Sequence, residues 1–235
     1  MAKEALHWDA PMPVAIVSAA ACDLDAIIAF LRCASHEKLL PRPAEDYRRA
    51  IDAGLFCVAR SGTDLVAVAG AFVLSDDPAL IEMGSCCVAP QFRGFGLQKL
   101  LVRARIAASI ARVGPEARIL TAVTPHNAGS LASVLNAGFE PLTEQARHLL
   151  ELCGHCATPP AGASGRLCCC DFFHIPASRR RSEIAALLRP GPITASRTDG
   201  ARIAVGMALD VLEAPHRAAL ERFALAPEPL AAVGG

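Results

Sequence analysis

The sequence predicts an α/β fold of about seven strands flanked by helices, followed by a small C-terminal α/β extension. Three observations carry this expectation. Short apolar runs rich in Val, Ile and Ala alternate with segments whose apolar residues recur every three or four positions. Their order reads β-α-α-β-β-β-α-β-α-β-β. A composition of 53% hydrophobic and 20% charged residues over 235 positions supplies a large core.

Lys plus Arg and Asp plus Glu are both 23, so the formal net charge is zero. No global field draws the chain to nucleic acid or to an anionic membrane, and any anion site must be local. The apolar runs have strand length and fall short of the roughly eighteen residues a membrane span needs. The stretch "PVAIVSAAAC" up to Cys22 reads as a strand entering a helix rather than as a cleavable leader, which leads to an expected cytoplasmic location. The sequence carries no readable signal for self-association.

Pro13 to Ser18 has strand composition, and Leu24, Ile27, Ile28 and Leu31 then share one helical face. Glu45 and Asp46 suit the first turn of a second helix, about Ala44 to Ala53, which Gly54 ends. "LFCVAR" and "DLVAVAGAFVL" read as a hairpin turning at Ser61-Gly62. "ALIEMGSCCV" is the next strand, stopped by Pro90. Leu97, Leu100, Leu101, Ala104 and Ala108 then mark an amphipathic helix that runs to Val113, before Gly114-Pro115. "ARILTAV" is a buried strand, and Asn127 caps a helix carrying Leu131, Val134 and Leu135 up to Gly138. Two further strands, about 140–152 and 167–175, enclose a Pro/Gly/Ser-rich tip. "PASRRRS" reads as a linker and "RPGPITASRTDG" as a loop; Ile203 to Leu212 and Ala214 to Phe223 form the extension. The expected division is a domain over 1–176, with a cysteine-rich hairpin at 151–171, and a linker plus extension over 177–235.

Gly94 and Gly96 sit where a buried strand turns into a helix. A helix N-terminus exposes unpaired N–H groups and about half a positive charge, and glycine permits an anion to approach the backbone closely. Arg93 adds a charged donor. The dinucleotide fingerprint G-x-G-x-x-G fails because position 99 is Lys, and the G-K-[ST] of a Walker A loop is missing.

The string Val-Ala-Pro-Gln-Phe-Arg-Gly-Phe-Gly-Leu (Val88 to Leu97) resembles the acetyl-CoA signature of the GNAT N-acetyltransferase superfamily, Gln/Arg-x-x-Gly-x-Gly/Ala, at Gln91, Gly94 and Gly96. "TPHNAGSLASVLNAGFEPL" resembles that superfamily's second element, and the order of strands and helices over about 12–175 is similar to its order. The resemblance implies the GNAT acyl-CoA N-acyltransferase fold, a central mixed sheet flanked by helices. It also implies acetyl-CoA as cosubstrate: the diphosphate on amides of Arg93, Gly94, Phe95, Gly96, Leu97 and Gln98, the pantetheine along Val88, and Asn127 and Ser130 beside the distal arm. The implied activity is acetyl transfer to a primary amine of a small molecule or peptide. Read from the residues alone, Asn127 is equally a helix cap and Ser130 a first-turn polar residue.

Acetyl transfer to an amine needs a base for the amine proton and an acid for the leaving thiolate. Glu82, a carboxylate in an apolar strand, is the candidate base, and it matches the general-base position of one branch of the superfamily. Its competing reading is a salt-bridged glutamate. Strict alternation places Glu82, Gly84, Cys86 and Val88 on one face. Many members of the superfamily carry an acidic tyrosine where this chain has Val134, and its only tyrosine is Tyr47. Ser133 and His126 are the other candidate acids near that motif. This departure favours, as an alternative, an acyl-CoA-binding module without turnover.

Cys153-x2-Cys156, then Cys168, Cys169 and Cys170, gives a spacing in which Cys153, Cys156, Cys168 and Cys170 can share one structural zinc at a hairpin tip, with His155 as a substitute ligand. Unligated reduced thiols explain the cluster equally well. Cys22, Cys33, Cys57, Cys86 and Cys87 read as small hydrophobes.

Overall fold

A computed structural model describes residues 10–34, 39, 42–74, 77–124, 127–143 and 170–226. The described elements run β1 (Met12–Ser18), α1 (Leu24–Ala34), α2 (Ala44–Asp52), β2 (Phe56–Ser61), β3 (Asp64–Leu74) and β4 (Asp77–Val88). They continue with α3 (Leu97–Val113), β5 (Arg118–Val123), α4 (Ala128–Asn136), β6 (Glu140–Pro141), β7 (Asp171–His174), α5 (Ala177–Leu187), β8 (Ile193–Ser196), β9 (Arg202–Ala208) and α6 (His216–Leu225). None of the described helices is long and apolar enough to cross a membrane.

The strands form one mixed sheet in the order β6-β7-β5-β4-β3-β2-β1-β9-β8. Its nine described strands exceed the expected seven because the C-terminal segment adds β8 and β9 to the free edge of β1. The pairing of β1 with β9 is parallel and unbroken from Met12↔Ile203 to Val17↔Ala208.

Helices cover both faces, which is why β2 and β3 are apolar at nearly every position instead of alternating. On one face α3 packs with Val134 of α4, Ile184 and Leu187 of α5 and Leu220 of α6 against Ile16, Ala59, Ala67 and Ile81. Leu101 and Ile106 of α3 are fully buried there, each contributing roughly 2 kcal/mol by the area removed from water. On the other face Ile27 and Leu31 of α1 and Tyr47 and Ile51 of α2 cover Phe56, Val58, Val68 and Phe72.

Two readings of the C-terminal segment need correction. "PASRRRS" is not a linker but the first two turns of α5: Pro176 stands at its N-cap, and Ile184 and Leu187, three apart on one face, anchor it in the core. The loop "RPGPITASRTDG" contains β8, which pairs antiparallel with β9 from Ile193↔Val205 to Ser196↔Arg202. Ile193 and Ala195 pack on the core, so two half-buried side chains and one partner strand suffice to order it.

Candidate functional site

The site is built where β4 parts from β5. Their parallel register runs from Leu80↔Arg118 to Met83↔Thr121 and stops there. The carbonyls at the parting are satisfied by side chains: Thr121 Oγ1 donates to Met83 O at 2.9 Å, and the buried Arg105 of α3 donates from Nη1 to Gly84 O at 3.4 Å and Gly70 O at 3.2 Å. On its other side β4 carries a bulge. Its register with β3 steps from Gly70↔Gly84 to Val68↔Cys87, so two residues oppose one, and Ser85 has φ +48°.

The bulge corrects the expected face. Glu82 and Gly84 lie towards α1 and α2, beside Phe72, whereas Cys86 and Val88 pack against the α3 layer. The extra residue reverses the alternation that a regular strand would keep.

Between the parted strands opens a cleft of about 510 Å³. Ser85, Cys86, Cys87 and Val88 of β4 line one wall, Thr121 and Ala122 of β5 the other, and the turn into α3 closes one end. That turn is the glycine motif: Gly94 has φ +86° and Gly96 φ +75°, both in the left-handed region. Gly96 is the N-cap of α3, so no side chain satisfies the helix's first amides. A Ser or Asp there would accept from the amide of Gln98 or Lys99; glycine leaves the amides of Leu97 and Gln98 open to an anion. At α4 the opposite holds, because Asn127 Oδ1 accepts from Ser130 N at 3.1 Å and caps the helix.

The structure brings Val88, Arg93, Gly94, Gly96, Leu97, Gln98, Asn127 and Ser130 to the lining of this one cleft. Gln91 and Phe95 lie off it: the side chain of Phe95 is buried in the core, and Gln91 is an exposed residue whose carbonyl is held from outside the cleft. Glu82 is also off the lining. Its Oε2 accepts from Arg42 Nη2 at 2.7 Å in a pair 11% and 13% exposed, and Arg42 stacks on Phe72 with its carbon 4.0 Å from the ring centroid.

Val134 lines the cleft and is buried, and Ser133 Oγ donates to Gln98 Oε1 at 3.0 Å. The sequence reading missed Arg105 and the pair of Ser85 and Tyr47. Tyr47, placed by sequence far from the site, packs under the bulge, and Ser85 Oγ donates to its hydroxyl at 3.4 Å. No local pattern announces that pairing, but a lone charge on the apolar face of α3 was a signal for Arg105.

Of the proposed zinc ligands, Cys153, Cys156 and Cys168 lie outside the described residues, as do His155 and His126; Cys170 is buried. Among the described residues no group of three or more His, Cys, Asp or Glu side chains could hold a metal ion.

The thiols of the site are not activated. Burial pushes the Cys57 thiol up to about 12 and that of Cys87 to about 11, and burial also raises Cys86. Cys22 and Cys33 are exposed. Iodoacetamide at pH 7.5, followed by peptide mass mapping, is expected to label Cys22 and Cys33 and to spare Cys57 and Cys87. Because the folded thiols titrate above their unfolded value of about 9.0, they favour folding below it. Above about 9.0 the unfolded chain loses these protons first, and the contribution is gone once the folded thiols titrate at about 11 to 12, so the urea midpoint is expected to fall across the window from about 9.0 to about 12.

Residues 24–139 match the model of the acetyltransferase (GNAT) family. Comparison with curated proteins gave no match. Among solved structures, N-acetylglutamate synthase of Neisseria gonorrhoeae, complexed with coenzyme A and N-acetyl-glutamate, aligns at TM-score 0.50 and 18% identity over 69% of this chain. The alignment spans only 34% of that protein's length. The Salmonella typhimurium protein yncA, with its cofactor acetyl-CoA, aligns at TM-score 0.51 and 15% identity over 70% of this chain and 94% of its own. Arabidopsis thaliana Naa50, in complex with a bisubstrate analogue, aligns at TM-score 0.50 and 14% identity over 69% of this chain and 98% of its own. At these identities the likeness concerns the fold, and it agrees with the family match in sequence. The chain therefore carries, across residues 24–139, a domain of the acetyltransferase (GNAT) family.

Proposed function

We propose that the chain is an acetyl-CoA-dependent N-acetyltransferase that acetylates a primary amine of a small molecule or peptide by direct attack. The observation that supports it most is the uncapped N-terminus of α3 at Gly96, facing the wedge between β4 and β5. The first amides of α3, with Arg93, hold the diphosphate; the β4 edge at Val88 pairs with the pantetheine arm; Asn127 and Ser130 border its distal side. Gln91 and Phe95 serve by shaping the turn. Acetyl-CoA supplies the thioester.

Glu82 takes the proton of the attacking amine, approached from the α1–α2 side, where Arg42 occupies its other oxygen, Oε2. Ser85 turns its hydroxyl from Tyr47 to the departing thiolate and gives it a proton in place of the tyrosine that Val134 replaces, while the Tyr47 hydroxyl donates to Ser85 Oγ and the proton taken by Glu82 returns to Tyr47 through solvent. The amine nitrogen thus gains the acetyl carbon as the carbon–sulfur bond breaks, and one proton is returned to the thiol.

A second reading, an acyl-CoA-binding module without turnover, draws on two observations: Val134 is buried at the cleft, and Glu82 is tied to Arg42. Calorimetric titration with CoA, beside chromatographic measurement of CoA released from acetyl-CoA across a panel of amines, separates the two. Amine-dependent release is the expected result. Binding without release for any amine supports the second reading, and no binding removes both.

A further inference from the structure

Arg197 lies in the turn between β8 and β9, outside the family segment and more than a hundred positions from the glycine motif, yet its side chain crosses that motif's outer side. Nη1 donates to the Gln91 carbonyl at 3.0 Å, and the guanidinium carbon sits 4.9 Å from the centroid of Phe95. Its Cγ and Cδ lie 3.1 Å from the point where a Cβ on Gly94 would stand. One side chain thus touches three residues of the turn that leads into α3.

Arg197 is itself held in place. Asp199 Oδ2 accepts from Nε at 2.9 Å and from Nη2 at 2.5 Å, while Oδ1 accepts from Ala201 N at 3.1 Å. The forked pair uses one edge of the guanidinium and aims the remaining nitrogen at Gln91. A half-exposed ion pair of this kind contributes little to stability by itself, so a role in overall folding does not account for the arrangement. The contacts of Arg197 instead fall on Gln91, Gly94 and Phe95, the turn that leads into α3.

We propose that the β8–β9 hairpin is a working part of the cofactor site, with Arg197 as the positioning residue that keeps the Gln91–Gly96 turn in its anion-binding shape and Asp199 as the group that orients Arg197. The proposal deepens, and rests on, the reading of the cleft as an acyl-CoA site. Its ligand is the diphosphate of that cofactor, reached through the turn and not by Arg197 directly, because Asp199 already holds the guanidinium.

Titration of the full chain with CoA by calorimetry, with unliganded thermal midpoints measured alongside, tests it on Arg197→Ala, Arg197→Lys and Asp199→Asn. Arg197→Ala is expected to weaken CoA binding about tenfold, the scale of one charge-assisted hydrogen bond, while the unliganded midpoint stays close to the parent's. Arg197→Lys keeps the charge but can neither stack flat nor fork onto Asp199, so it is expected to bind nearly as weakly as the alanine variant. Asp199→Asn is expected to fall between. Parent-like affinity in Arg197→Ala overturns the proposal, as does full retention by lysine, which would reduce Arg197 to a surface charge. Should Arg197→Ala not fold, the lysine and Asp199→Asn variants decide by the same criteria. An unmodified chain that binds no CoA sinks the acyl-CoA reading first, and this proposal with it; an unmodified chain that binds while the variants match it sinks this proposal alone.

Discussion

Gly96→Val is expected to weaken CoA binding by at least about 100-fold while leaving a folded protein. The two effects separate because of where a side chain at position 96 would go. Among the described residues, no heavy atom beyond the chain neighbours of Gly96 lies within 4 Å of the added Cβ, so none of them is displaced. The fold bears only the cost of a left-handed residue at φ +75°, about 1–2 kcal/mol, and somewhat more for a β-branched one. The open space, however, is the mouth of the α3 N-terminus, where a diphosphate must come within about 3 Å of the amides to accept from them. Two methyl groups there hold the anion away and remove several charge-assisted bonds together, and two such bonds lost are enough for a factor of about 100. A calorimetric titration and a thermal melt on the same sample measure both. Unchanged affinity in a folded Gly96→Val protein would place the anion elsewhere.

Glu82→Gln is expected to reduce amine-dependent CoA release by about 100-fold to 10,000-fold, the usual worth of a positioned base, with no change in CoA affinity. Affinity is spared because Glu82 faces α1 and α2 and does not line the cleft. The same substitution leaves the half-buried guanidinium of Arg42 without its counter-charge, at a cost of about 1–3 kcal/mol in stability. Arg42→Met therefore serves as the comparison: it breaks the same pair but keeps the carboxylate. Release that survives in Arg42→Met and collapses in Glu82→Gln identifies the base. Equal, mild losses in both would make the pair structural and leave the amine to be deprotonated by solvent.

The parts of this site written in neighbouring residues were legible before any coordinates. The two glycines, the apolar period of α3 and the Asn127 cap each depend on contacts a few positions apart, so spacing alone reveals them. The β4 bulge escaped because it is a property of two strands: Ser85 and Cys86 look like regular alternation until Ala69 is seen opposite both. The partner of Glu82 escaped because Arg42 reaches it from 40 positions away, across the packing of α2 on the sheet. α5 reads as a linker in sequence because three arginines and a proline outweigh Ile184 and Leu187, whose meaning appears only once α3 offers them a surface. The C-terminal hairpin's approach to Gln91 has no sequence signature at all, since neither end of it shows a pattern that implies the other.

The parallel seam between β1 and β9 also sets a timetable. Ser18, at the end of β1, donates to Asp210 across 192 positions of sequence. During synthesis β1 can pair with β2 as soon as residues 56–61 emerge, but its other edge stays uncovered until residues 202–208 have left the ribosome. For most of translation, the nascent sheet therefore presents a bare, apolar seven-residue edge, the kind of template on which chains join one another. So distant a contact can close only late in synthesis, and contacts of such long sequence separation slow folding.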